Sequence, residues 1–341
     1  MKVDVHCHHV VIVPDNGGYV HSAGGFMARS LLTSLGILNW QDAFLKRLPE
    51  RRRIDALYRE NLIRRIDESP LDHAVVLAMD GIYDERGFLD NERTKNYVSN
   101  EAVLSLRHDS PKILFGASVN PKRRDWKDEL ERCIADGAVL LKWLPNVMGF
   151  DPADPDIAQF YARLVEVGMP LLSHVGFEYS LPVVNEQFSD LDRMVPALEA
   201  GVIVIAAHCG GGRILVDSDA MYQKLQQMVL RYPNLYLDVS AMASIHRKQR
   251  FVRIVSDEIM KDRLLYGTDF PIPVHPWAFK KWLKGTIIPD NDFAKDITIK
   301  VAVGLEESAL GRGYKVFGKR MDAHCACMGC TPFSYLGLTG E

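Results

Sequence analysis

The sequence predicts an α/β protein built as a (β/α)₈ TIM barrel. Three observations carry this. Eight short runs rich in Val, Ile and Leu recur along the chain, at 2–6, 73–80, 113–121, 137–145, 169–176, 202–211, 234–241 and 263–271. Near-continuous apolar runs suit parallel strands covered on both faces. Most of the intervals between them are long enough for the crossover helix that parallel neighbours require. The chain is 341 residues long and 47% hydrophobic, enough for one barrel with a large core.

The elements follow in order. "KVDVH" (2–6) forms the first strand. Residues 9–72 form an unusually long connection, with Gly17-Gly18, Gly24-Gly25, Trp40 and two helical patterns. It leaves the C-terminal end of strand 1, so it is expected over the site as a lid. Its triplet Arg51-Arg52-Arg53 reads as a solvated helix face. "HAVVLAMD" and "ILFGASVNP" follow, then a helix at 125–137 with Gly137 as C-cap. "GAVLLKWLP", "MPLLSHVG", "VIVIAAHCGG", "NLYLDVSA" and "RLLYGTDFP" complete the barrel. Helical patterns run on to about 319. The barrel domain is therefore expected at 1–319, with an irregular cysteine-containing tail at 320–341. The run Gly210-Gly211-Gly212 allows close backbone approach to a ligand or a tight turn.

Composition narrows the function. Charged residues make up 25% and the formal net charge is −3, which gives no reason to expect nucleic acid or a membrane surface as partner. Asp4 and His6 interrupt the first apolar stretch, so no signal peptide is read there. No apolar run approaches the roughly 18 residues of a membrane span. A cytoplasmic protein acting on a small molecule is the expectation, with a homodimer as the default assembly. Its six cysteines are then expected mostly reduced, with Cys7, Cys133 and Cys209 inert.

Polar residues stand where the apolar runs end. His6 and His8 are two apart, so on a strand they face the same side. Lys142 lies near the end of run four, His174 and His208 end runs five and six, and Asp269 ends run eight. All fall at C-terminal strand ends, the face on which barrel active sites lie. One such histidine would read as a core residue; this many do not. Imidazole with carboxylate suits Zn²⁺ or another divalent transition metal, with His6, His8, His174 and Asp269 converging on it. An ion with an open position makes hydroxide near neutral pH. His208 is then a further ligand or an acid–base group. His9 breaks the same-face spacing and is expected against the barrel wall or a loop.

His6-Cys7-His8, His174, His208 and Asp269, with "AAHCGGG" and "LLYGTDFP", resemble the amidohydrolase superfamily, in its amidohydrolase-related branch. The resemblance spans residues 1 to about 320. It implies a metal held by His6, His8, His174 and Asp269, in an enzyme that is either a hydrolase or a non-oxidative decarboxylase. Decarboxylase members usually carry one ion. In binuclear members a strand-4 lysine is carbamylated and bridges two ions, and Lys142 occupies a suitable place. Lys142 could equally bind a substrate carboxylate or pair with Asp269.

Other residues after strand ends are candidates for the pocket: Trp143, His246 and His275 as substrate contacts, and more weakly Asn146, Glu178, Tyr179 and Arg213. Asp80 orients a ligand or caps a helix. In the tail, His324, Cys325, Cys327 and Cys330 allow a bound metal, a disulfide or free thiols. The reading that follows is a metal-dependent hydrolase with one or two ions per chain, acting on an amide- or ester-like bond, lactones included. Asp269 takes the proton of the attacking water, and His208 holds the carbonyl or acts as acid. The alternatives are a metal-dependent decarboxylase of an aromatic or unsaturated acid, and a non-catalytic metal-binding barrel.

Overall fold

The computed structural model describes residues 1–20, 26–178, 180–211 and 219–329. Eight strands run parallel in sequence order: β1 (Val3–His8), β2 (His73–Leu77), β3 (Ile113–Ala117), β4 (Leu140–Trp143), β5 (Leu171–Ser173), β6 (Val204–Ala206), β7 (Leu235–Asp238) and β8 (Leu264–Leu265). The Val5 N–H donates to Tyr266 O at 3.0 Å and the His8 N–H to Phe270 O at 2.8 Å, which joins β8 back to β1. This is the TIM barrel that the eight apolar runs predict. Its strands are buried on both faces, which is why they lack polar alternation.

The strands are shorter than the runs. Run six extends to 211, but β6 stops at Ala206 because His208 and Cys209 adopt left-handed φ of 53° and 51°. The third crossover helix, Trp126–Ala135, ends as expected, with Gly137 at φ 77° just beyond it.

The long first connection divides differently from its reading as one insertion. Its last part, Arg51–Asp67, is the ordinary β1–β2 crossover helix, burying Ile54, Tyr58, Leu62 and Ile66 at four-residue spacing. Arg51, Arg52 and Arg53 are exposed on it. The added segment is thus 9–50, and its helices are Phe26–Ser34 and Trp40–Phe44. A short strand of it, Gly18–Val20, pairs antiparallel with Asn96–Val98 from the β2–β3 connection.

The C-terminal segment also corrects the expectation. Residues 319–328 form a helix, Lys319–Met328, rather than an irregular tail. With the preceding helix Glu307–Phe317 it closes the end of the barrel where the strands begin. Phe317, Met321 and Cys325 share one apolar cluster with Val5, Leu114 and Leu172 of the strands. Arg320 Nε donates to Ala138 O at 2.8 Å. Cys325 is buried and Cys327 is exposed; Cys330 lies outside the described residues. Phe317 is fully buried. Phe317→Ala is expected to destabilise the fold by about 3–5 kcal/mol, read as a lowered urea midpoint. A change below about 1 kcal/mol would show that the terminal helices are not part of the cooperative core. No described helix is long and apolar enough to cross a membrane.

Candidate metal centre

The polar strand ends meet at one place. The β1 register slips between Asp4 and Cys7, and His6 and His8 then bring their Nε2 atoms to 3.1 Å of each other. Asp269 Oδ1 lies 3.3 Å from His6 Nε2 and 3.2 Å from His8 Nε2. Lys142 Nζ is 3.1 Å from His6 Nε2. The His208 ring stacks on His6 with centroids 5.3 Å apart, and the His174 ring stands edge-on to His208 at 5.2 Å. His6, His208 and Asp269 offer ligand atoms that all lie within 4.8 Å of one another.

Backbone geometry aims these groups. In β4, strand alternation turns Lys142 into the barrel and Trp143 out of it. Asp269 holds a left-handed φ of 66°, fixed by its N–H bonding to His6 O at 2.8 Å and by its carbonyl accepting from Ile272 N at 2.8 Å. Non-glycine residues in this region are strained, and such strain concentrates at functional sites.

A layer behind the histidines sets their tautomers. His6 Nδ1 donates to Asp238 Oδ2 at 2.8 Å, so its Nε2 keeps a lone pair toward the cluster. His208 Nδ1 donates to Ser240 Oγ at 2.9 Å, and that hydroxyl donates to Asp238 Oδ1. Asp238 also accepts from the backbone N–H of His208 at 2.9 Å. Burial works against the Asp238 anion, but the His6 ring and its hydrogen bond hold the carboxyl far below the usual range. Asp238 and Ser240 were not among the sequence candidates. Their one signal is an acid inside the otherwise apolar "NLYLDVSA".

Burial likewise sets the charge state of the cluster. It lowers His6 to about 4, aided by Lys142, and lowers His208 to about 3, aided by Arg247. It also lowers His174 well below the ordinary imidazole value, with His208 adding to the effect. Lys142 falls to about 8 through burial, against the pull of Asp238 and Asp269. Burial pushes Asp269 upward, but His208 and His6 outweigh it and keep the carboxyl well below its ordinary value. At neutral pH His6, His174 and His208 are therefore neutral imidazoles beside the Asp269 carboxylate, the protonation state in which these groups ligate metals. His6 Nε2, His8 Nε2 and Asp269 Oδ1 crowd together at 3.1–3.3 Å. His174 Nε2 is buried without a hydrogen bond among the described residues, with Glu178 Oε2 3.5 Å away. A cation resolves both features, so the residues fit a divalent ion.

This cluster forms the floor of a cavity of about 390 Å³. Ile12, Leu32, Tyr58, Val98, Leu144 and Leu181 supply apolar wall. Four of these come from the first connection or from the strand paired with it. Glu178 also lines the cavity. His9 lines it too, contrary to expectation, because the chain leaves the strand at His8 and alternation no longer governs it. Trp143 does not reach the cavity. Its ring packs edge-on to Phe150 at 4.8 Å and its Nε1 donates to Val119 O at 2.7 Å. His246 and His275 do not line it either. His246 is exposed in the turn Ile245–Arg247, and His275 lies edge-on to Trp277 at 6.0 Å. The loop of His275 does reach the cavity, but through Pro271, Ile272 and Pro273. Asn146 is buried, and Tyr179 and Arg213 lie outside the described residues. Asp80 accepts from Asn120 N at 2.7 Å and Tyr83 Oη at 2.8 Å, so it ties loops together. Gly211 meets backbone rather than ligand: a Cβ there would lie 2.4 Å from Gly176 Cα.

The comparisons with known proteins agree with this architecture. No curated protein matches the chain. An uncharacterised TIM-barrel protein from Bordetella bronchiseptica superposes with TM-score 0.56 at 15% identity, covering 89% of this chain and 99% of its own. A candidate 2-pyrone-4,6-dicarboxylic acid hydrolase from Pseudomonas putida gives 0.54 at 12% identity, covering 93% and 97%. A 2,6-dihydroxybenzoate decarboxylase from Rhizobium gives 0.51 at 15% identity, covering 93% and 99%. At these identities the likeness is one of fold. The family model described as amidohydrolase matches residues 3–304, and the chain belongs to that family.

Proposed function

We propose that the protein is a divalent-metal-dependent hydrolase of an ester-like or amide-like bond, lactones included, in a small molecule. The observation that carries this is the gathering of His6, His8, His174 and ionised Asp269 on the floor of an otherwise largely apolar cavity. These four residues would hold Zn²⁺ or another divalent transition ion. When bound, the ion supplies a water acidified to near neutrality and polarises the carbonyl under attack. Asp269 orients that water and accepts its proton at the carboxylate. His208, anchored through Nδ1 on Ser240, holds the carbonyl oxygen or passes a proton to the leaving group. Asp238 keeps His6 in its ligating tautomer. The apolar walls exclude bulk water and strengthen each of these interactions.

Lys142 decides between one ion and two. It reaches the floor, as a bridging carbamate would require. With Lys142 as the bridge, elemental analysis counts two ions in the wild type and one in Lys142→Met. One ion in both would leave Lys142 as a contact for substrate.

A second reading, decarboxylation of an aromatic or unsaturated acid, is favoured by Lys142 itself. It is the one lysine or arginine among the described cavity residues, and its ammonium could receive a carboxylate. The Rhizobium decarboxylase, similar in fold, also supports it. The test is a panel of lactones, esters, amides and aromatic acids with metal-loaded protein. A hydrolase releases acid from a neutral bond, stops on chelation and liberates no CO₂. Chelator-sensitive CO₂ release would establish the lyase instead. Metal bound without any turnover would favour the non-catalytic barrel.

A further inference from the structure

The cavity carries a second polar set that the proposed chemistry does not use. Asn96 lies on the short strand Asn96–Val98, opposite Val20, and His9 follows the ligand strand β1. Both line the cavity. Both are more than nine-tenths buried, with 6% and 7% of their surface exposed. Asn96 Nδ2 and His9 Nδ1 have no hydrogen-bond partner among the described residues.

Two other polar groups in the wall are engaged within the fold. Asp55 accepts from Ile12 N at 2.8 Å, Val13 N at 3.1 Å and Asn16 Nδ2 at 2.8 Å. Tyr58 Oη donates to His8 O at 2.9 Å. The cavity lining also includes the apolar Val10, Val20, Met79 and Val98. Buried polar atoms in native proteins are normally paired, so two orphans in one cavity point to a group that arrives from outside. The backbone ladder to Gly18–Val20 fixes the position of Asn96, as specificity contacts require.

We propose that Asn96, assisted by His9, is a specificity-determining contact that receives a second hydrogen-bonding group of the substrate while the reacting group lies at His6, His8, His174 and Asp269. The substrate is then a ring-sized, largely apolar molecule with two separate polar groups. This rests on the reading of the cavity as the active site. It adds a discriminating element built by the first connection and its paired strand, not by the barrel strand ends. A site made to hydrogen-bond a substrate group rejects the analogue lacking it, because its buried polar atoms are left unpaired.

The probes are benzoate, 3-hydroxybenzoate and 4-hydroxybenzoate, titrated calorimetrically into the Zn²⁺-loaded protein. They share the carboxylate and differ only in the second group. The wild type is expected to bind at least one hydroxybenzoate about tenfold or more tightly than benzoate. Asn96→Leu, close in volume, removes that ratio and leaves benzoate affinity within about twofold. Should Asn96→Leu not fold, Asn96→Val, suited to a strand, takes its place. Equal affinities in the wild type, no binding of any of the three, or a preference that survives in Asn96→Leu would overturn the proposal. Zinc content of the same samples reports separately on the ion. A wild type without zinc would defeat the metal-dependent function, while the ratio between ligands of one carboxylate would still decide the role of Asn96.

Discussion

Asp269→Ala and His6→Ala are expected to lose bound metal and to lower turnover by about 10³-fold or more. Each removes one of the four proposed ligands from the cavity floor. Asp269 contributes twice: it supplies the one negative charge in that ligand set, and it is the proton acceptor for the attacking water. His6 is central in another way, since its Nε2 is within 3.3 Å of His8, Asp269 and Lys142. Elemental analysis and kinetics of the two variants provide the check. Full stoichiometric metal in either would remove that residue from the ligand set. Unfolding midpoints measured on the metal-free proteins separate loss of the ion from loss of the fold.

The second large effect is expected away from the cavity, at Asp238. Asp238→Asn preserves shape but removes the charge that fixes the His6 Nδ1 proton, and it lets an amide N–H compete for that ring. Metal affinity should fall about 10–100-fold, measured by competition with a chromophoric chelator. Asp238→Ala should add a stability loss of about 1–3 kcal/mol for each donor left unpaired, among them the backbone N–H of His208. An unchanged metal dissociation constant in Asp238→Asn would show that the carboxylate supports folding alone. The two results together distinguish residues that would touch the ion from the residue that orients them.

Much of this was legible in the chain. The barrel could be read because parallel strands buried on both faces must be apolar throughout, and eight such runs are hard to mistake. His6, His8, His174, His208 and Asp269 stood out because imidazoles and a carboxylate at the ends of apolar runs have no ordinary packing reason. Lys142 was legible to within one residue, and alternation then decided between it and Trp143. Asp238 and Ser240 were harder, because an acid within a strand does not announce which histidine on a distant strand it holds.

The sequence by itself determined the eight strands, their parallel order and the residue types at their C-terminal ends. These depend on local hydrophobicity, on strand periodicity and on the crossover rule, which act over short distances along the chain. Only the tertiary structure decided which loops cover the site. It brought His9 and Asn96 into the cavity and left Trp143, His246 and His275 outside it. It also turned residues 319–328 into a helix across the barrel floor. Those outcomes depend on where chain segments meet after the barrel has closed. The left-handed turns at His208 and Asp269 are likewise fixed by hydrogen bonds to residues far away in sequence, such as Asp238 and His6.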